Sequence, residues 1–409
     1  MTWSEAEKAY AGATTPYSGR LHHAELMRQA QAATGLSDWG GARWSEAGFR
    51  RRLATLCAAL DSEADLSEIG RSRAHSRLHM MLVSRLLVCG QRNVRDAPAE
   101  VAACLVGTGL PRSGTSFLQQ LLARDPDNCA ATTAEALMPA PPPGPGDDAL
   151  RRAALVERLL AFQGQRTDDI SAIHPQGAEV VEEDILLQEG ACGQVYQAFF
   201  HVPSFSGSLT SEDIGDMYRW QRGVMALIQS GRPVARWVLK APMHMSNLSL
   251  VQSAFPDPML FCNHRDPGKA IPSLASLFTA LQRLNSSAPG IDPKALGPLL
   301  LAGQMRAVDA MNAWRDAHPQ VPIVDIQFVD LTRDPIGEVE RIYGAYGLSL
   351  GRKARESMSA FLRQNPHGRE HGGIRHRYEL ADFGLSPALI EQSCGAYFER
   401  YQVVRETGS

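Results

Sequence analysis

Residues 104–126, CLVGTGLPRSGTSFLQQLLARDP, pass from an unbroken apolar run through a glycine-containing turn into a helical repeat. That succession commits the chain to a strand, a tight loop and a helix. The apolar run suits a strand buried on both faces, and Phe117, Leu118, Leu121 and Leu122 fall on one helical face. Against the phosphate-cradling template G-x-x-x-x-G-K-[ST], Gly109, Gly114 and Ser116 are in register. Thr115 stands at the lysine position, and Arg112 lies inside the loop. Backbone N–H groups of such a turn, and of the helix that follows, converge on an anion. Nucleoside triphosphate chemistry uses the loop lysine on its terminal phosphates. Here the loop carries instead the forked, permanently charged guanidinium of Arg112. The plain alternative is a strand–helix turn whose glycines serve packing.

Three further strand candidates are RWVLKAP (236–242), PMLFCNHRDP (258–267) and VPIVDIQFVDL (321–331), with a compact helix, MSNLSLVQSAF, between the first two. Strands alternating with helices predict an α/β fold: a P-loop-like parallel sheet flanked by helices, with ligands at the carboxyl ends of the strands. Arg112, Lys240 and Arg265 all fall at or just past such ends. Asp334 and Pro335 open a later helix, and Ser386 and Pro387 open another that runs to about Tyr401. Ahead of the first strand, apolar positions recur at helical spacings, which predicts an N-terminal helical extension over residues 1–98. Residues 99–409 then form the α/β domain. A proline-rich connector, MPAPPPGPGDD (138–148), leads into a helical insertion at about 140–232 that shapes an acceptor pocket.

The net charge of −3 gives no global attraction to nucleic acid or to an anionic membrane, so a basic site must be assembled locally. No segment offers the roughly 18 apolar residues of a membrane span. The nearest, HMMLVSRLLVCG, is interrupted by Arg85 and reads as a core helix. The start, MTWSEAEKAYAG, lacks the basic and apolar regions of a signal peptide. Seven cysteines without a C-x-x-C pair argue against both a disulfide framework and a zinc knuckle, and a reducing cytoplasm is the expected setting. His75 and His79 are four apart but lack the glutamate of H-E-x-x-H, so no metal site is expected.

TGLPRSGTS, WVLKAP and NHRDPGKAIPS, in this order, resemble the sulfotransferase superfamily that uses 3′-phosphoadenosine 5′-phosphosulfate (PAPS), in particular its bacterial branch related to tyrosylprotein sulfotransferases. A sulfuryl group carries one negative charge where a terminal phosphoryl carries about two, which fits a loop without its lysine. The resemblance implies that Arg112, Ser113, Gly114, Thr115 and Ser116 bind the 5′-phosphosulfate. It implies that Arg265 and Ser273, eight residues apart, hold the 3′-phosphate, and that Lys240 sits near the bridging oxygen. Independently, a hydroxyl and unpaired backbone donors in an early helical turn can join a guanidinium around a phosphate. Pro272 requires that helix to be in its first turn there. The segment HGGIRHRYELADFG has a counterpart in the relatives, which implies that Arg377 or Arg375 reaches the same phosphate.

Transfer also needs a group that takes the acceptor's proton. Glu135, 23 residues after Arg112, is close to where tyrosylprotein sulfotransferases place a catalytic glutamate. Glu182, Glu183 and Asp184 compete with it, although acids before an apolar helical stretch also complement a helix dipole. His244, just past Lys240, is a third candidate. Phe162, Tyr196, Phe199, Phe200, Phe205, Tyr218 and Trp220 suit an apolar pocket for a small-molecule or lipid-like acceptor, and equally an ordinary core. The resulting expectation is a PAPS-dependent sulfotransferase working without a metal. A P-loop kinase of small metabolites and a catalytically idle nucleotide-binding protein are the competing readings.

Overall fold

The computed structural model describes residues 2–91, 100–142, 146–166, 176–287, 292–365 and 379–406. They divide into two compact units. The first comprises Met1–Val101, Ala131–Pro233 and Ala280–Gly290, and the second Ala102–Ala130, Val234–Thr279 and Ile291–Ser409. The spans 1–98 and 140–232 both fall within the first unit.

The second unit is built on five parallel strands: β1 (Ala103–Gly109), β2 (Asn128–Cys129), β3 (Arg236–Lys240), β4 (Met259–His264) and β5 (Ile323–Gln327). Their order is β2-β3-β1-β4-β5, and helices flank the sheet. β1 is buried along almost its whole length, as its unbroken apolar run requires. Register sets Gly107 beside both Lys240 and Phe261, and Gly109 beside Asn263, so the carboxyl ends of the three central strands lie together. The turn after β1 leads into the helix Thr115–Leu122. The helix Pro335–Ala345 starts as expected, with Asp334 Oδ1 accepting the Gly337 N–H at 3.0 Å. Ser386 Oγ likewise accepts the Leu389 N–H at 3.1 Å to open Pro387–Tyr401.

Two sequence expectations are corrected. Alternation in VPIVDIQFVDL supports a strand only to Gln327, after which Phe328–Arg333 is helical and buries Leu331. The helix carrying Ser273 starts at Pro267, so Pro272 lies in its second turn, where the ring removes the bond the Gly268 carbonyl would receive.

The first unit is helical, with long helices at Glu46–Ser62, Glu68–Cys89, Asp147–Phe162 and Ser211–Gly231. Glu68–Cys89 is buried on all sides from Ala74 onward, which needs an account of its arginines. Arg85 donates to the carbonyls of Trp39 (2.9 and 3.1 Å), Trp44 (2.8 Å) and Gly190 (2.7 Å), and Arg77 pairs with Glu189. Arg52 donates to Asp213 at 2.7 Å and to Asp216 at 3.3 Å. Tyr196, Phe200, Phe205, Tyr218 and Trp220 fill the core of this unit. No described helix is long and apolar enough to cross a membrane.

Candidate functional site

The loop after β1 is held in a shape few residues tolerate. Gly109 has φ +130°, and a Cβ there would lie 2.2 Å from the Asn263 carbonyl oxygen. Gly114, at φ +82°, caps the helix that follows. Between them Arg112 adopts φ +68°, a left-handed conformation that costs a non-glycine residue about 1–2 kcal/mol. That strain persists because surrounding bonds fix the residue. Its carbonyl accepts from Arg265 Nη1 at 2.8 Å, and its Nε–H donates to Ser273 Oγ at 3.0 Å. Ser113 is buried and donates to the Leu110 carbonyl at 2.6 Å. Its own carbonyl accepts from Asn263 Nδ2 at 3.2 Å.

Alternation along β4 places Asn263 and Arg265 on one side of the strand and His264 on the other. Arg265 lies over the Phe328 ring at 3.9 Å and turns its Nε and Nη2 onto Glu406, at 2.8 and 3.1 Å. On the β3 side, Lys240 is 1% exposed and donates from Nζ to Ser116 Oγ at 3.0 Å. β3 therefore delivers a cation to the hydroxyl at the end of the motif, although Thr115 has displaced the loop's own lysine. Gly114 caps the helix that starts at Thr115, and the first-turn N–H groups of a helix have no intrahelical partner.

The second unit thus brings Arg112, Ser273 and Arg265 into one hydrogen-bonded group and Lys240 onto the same loop. The donor set suits a compound with two anionic groups: two guanidinium groups, one ammonium, two hydroxyls and a row of backbone N–H groups. Asn263, wholly buried, leaves its Oδ1 without a partner among the described residues.

The other candidates have different settings. In the first unit, Glu135 is the third residue of the helix Thr133–Leu137 and closes a capping box with Thr132. Its Oε2 accepts the Thr132 N–H at 3.0 Å and Arg232 Nη2 at 2.9 Å. Glu182 Oε2 accepts the Glu183 N–H at 3.2 Å, and Asp184 accepts Gln221 Nε2 at 2.5 Å at the start of a 3₁₀ helix, Asp184–Ala191. In the second unit, His244 is buried in the 3₁₀ turn Pro242–Ser246. Arg375 and Arg377 lie outside the described residues.

On the far side of β4, Cys262, His264 and Asp325 bring ligand-type atoms within 4.8 Å of one another. Those atoms already have partners. His264 pairs through Nε2 with Asp325 (2.9 Å) and through Nδ1 with the Tyr397 hydroxyl (3.1 Å), while Arg315 forks onto Asp325 at 2.7 and 2.8 Å. Burial alone would raise the Asp325 pKa, but hydrogen bonds from His264 and Arg315 hold it down at about 2.

Sequence reasoning missed Asn263 and Glu406. Asn263 was accessible through strand alternation with Arg265, whereas Glu406 sits in VVRETGS, where nothing local marks it.

A sequence model described as the sulfotransferase family matches residues 105–351, more than half of the chain. Among solved structures, sulfotransferase STF9 from Mycobacterium avium superposes with a TM-score of 0.80 at 22% identity, covering 96% of this chain and 100% of that one. Sulfotransferase STF1 from Mycobacterium tuberculosis H37Rv gives 0.73 at 26% identity, covering 91% and 98%. No curated protein matches the chain.

Proposed function

The chain belongs to the sulfotransferase family, and we propose that it transfers a sulfuryl group from PAPS to a hydroxyl or amine of a small-molecule or lipid-like acceptor. When bound, PAPS supplies the activated sulfuryl group and leaves as adenosine 3′,5′-bisphosphate. Ser113 and Gly114 hold the 5′-end through backbone N–H groups, Thr115 and Ser116 through backbone and hydroxyl donors, and Arg112 adds a charge there. Arg265 and Ser273 grip the 3′-phosphate. Lys240 and Arg112 stabilise negative charge on the departing oxygen, the charge that most needs preorganised donors. Glu135 takes the acceptor proton on Oε1, since Arg232 and the Thr132 N–H hold Oε2 and orient the carboxylate. These cations do the work that magnesium does in a kinase, so no metal is assigned. All seven cysteines are buried and none is in a disulfide, which suits a reducing compartment, and we assign the activity to the cytoplasm.

The bond between Arg112 and Ser273 carries this reading, because it ties the loop to the second anion-binding segment. Thermal stabilisation by adenosine 3′,5′-bisphosphate, set against ATP with magnesium, tests it. Ligand at 100 times its Kd stabilises a fold by about 2.7 kcal/mol, a readable melting shift. A response to ATP–magnesium alone would favour a kinase. Binding of the bisphosphate without sulfuryl transfer to any of a broad acceptor panel would favour an idle nucleotide-binding protein.

A further inference from the structure

We propose that the C-terminal tail is a built-in competitor of the nucleotide. Glu406 occupies Arg265 as a carboxylate stand-in for the 3′-phosphate and yields when that phosphate arrives. The inference rests on the donor reading above, since it takes Arg265 to be the residue that grips the 3′-phosphate.

Arg265 has two edges with different tasks. Its Nη1 donates to the Arg112 carbonyl at 2.8 Å and so braces the loop. Its Nε and Nη2 form the fork that matches two oxygens of one anion, and that fork holds both oxygens of Glu406. A phosphate arriving at this edge meets a carboxylate already in place.

The tail that brings Glu406 there is anchored at several points. Gln402 takes φ +51° and turns the chain out of the helix Pro387–Tyr401. Val403 is buried and donates its N–H to the Phe398 carbonyl at 3.2 Å, and Arg405 forks onto Glu391. The Glu406 N–H donates to Asp266 Oδ2 at 2.8 Å, while Asp266 Oδ1 accepts the Gly268 N–H at 2.8 Å. Glu406 therefore reaches Arg265 from an anchored backbone.

A phosphate outcompetes this carboxylate because it carries about two charges and offers a further oxygen to the Ser273 hydroxyl. The tail lowers affinity at the 3′-end for donor and product alike, which speeds product departure. Nucleotides without a 3′-phosphate have no reason to displace it.

Titration calorimetry of the full chain and of Glu406→Gln, with adenosine 3′,5′-bisphosphate and with adenosine 5′-monophosphate, tests this. The variant keeps the side-chain length and the backbone bond to Asp266. Partly exposed pairs shift equilibria by up to about fivefold. We expect about fivefold tighter binding of the bisphosphate and a change below about twofold for the monophosphate. Deleting residues 406–409 should reproduce that selectivity, and melting curves of both variants check the fold. Equal bisphosphate affinity in all three proteins, equal tightening toward both nucleotides, or weaker binding by Glu406→Gln would each overturn the proposal. Binding by the full chain with no response to either variant removes the tail's role alone. If none of the three binds either nucleotide, the donor reading falls with it.

Discussion

Arg112 and Ser273, 161 positions apart, are joined by a 3.0 Å hydrogen bond in which the guanidinium Nε–H donates to the hydroxyl. With Arg265 on the Arg112 carbonyl, the bond fixes a left-handed residue in a loop that would otherwise relax. The loop and the start of the helix Pro267–Arg283 therefore form one braced unit, which a bis-anionic ligand can meet preformed.

Ser273→Ala removes that brace and, on the proposed reading, a phosphate donor with it. Affinity for adenosine 3′,5′-bisphosphate should fall about tenfold or more, the worth of a hydrogen bond to a charged group. The melting temperature should move little. Unchanged affinity in calorimetry would take Ser273 out of the site.

Lys240→Met keeps most of the buried volume of the side chain and removes its charge. We expect kcat to fall about 100-fold, as for loss of one preorganised donor, with the acceptor KM nearly unchanged. A higher KM at constant kcat would show that Lys240 only positions substrate.

Glu135 has a capping role that must be separated from any role as base. Thr132→Ala should cost about 1 kcal/mol of stability and leave turnover largely intact. Glu135→Gln should lower turnover by about 100-fold or more while preserving bisphosphate binding. Equal, small effects of both changes on turnover would leave Glu135 with the cap alone.

Gly109→Ala drives a methyl group into the backbone of β4. Residue and strand must both shift, at about 3 kcal/mol or more in urea unfolding. A loss below about 1 kcal/mol would mean that β1 and β4 separate easily at that end.

Asp325, held at about 2 by His264 and Arg315, makes stability depend on acid. Its folded pKa lies below the unfolded value near 3.9, so its contribution is complete above that pH and fades as pH falls toward 2. With one-third of the side chain exposed, the contribution is about 2 kcal/mol, roughly half of it lost by pH 3. Urea unfolding of wild type and Asp325→Asn at pH 5 and pH 3 should show the gap between them narrowing. A constant gap would place the interaction elsewhere.

What the sequence disclosed was local in origin. The turn after β1 and the helices opened by Asp334–Pro335 and Ser386–Pro387 are written in neighbouring residues, and each forms where that chemistry puts it. β2 has two residues, too few for any alternation to register. Phe328–Arg333 continues an apolar pattern that both periods accommodate, so the change to helix is invisible without the sheet. Thr132-x-x-Glu135 is a capping-box spacing that local reasoning could have recovered. The contacts Arg112–Ser273 and Arg265–Glu406 are made across more than a hundred residues of chain, and no neighbour in sequence signals them.

The residues assigned to the donor within the described chain all belong to the unit that contains the sheet, whereas Glu135, Glu182 and Glu183 belong to the helical one. On the proposed reading, selection can rework the helical segments for new acceptors while leaving the nucleotide grip intact. Chimeras that exchange residues 131–233 between relatives are the natural place to look for altered acceptor choice at constant donor affinity.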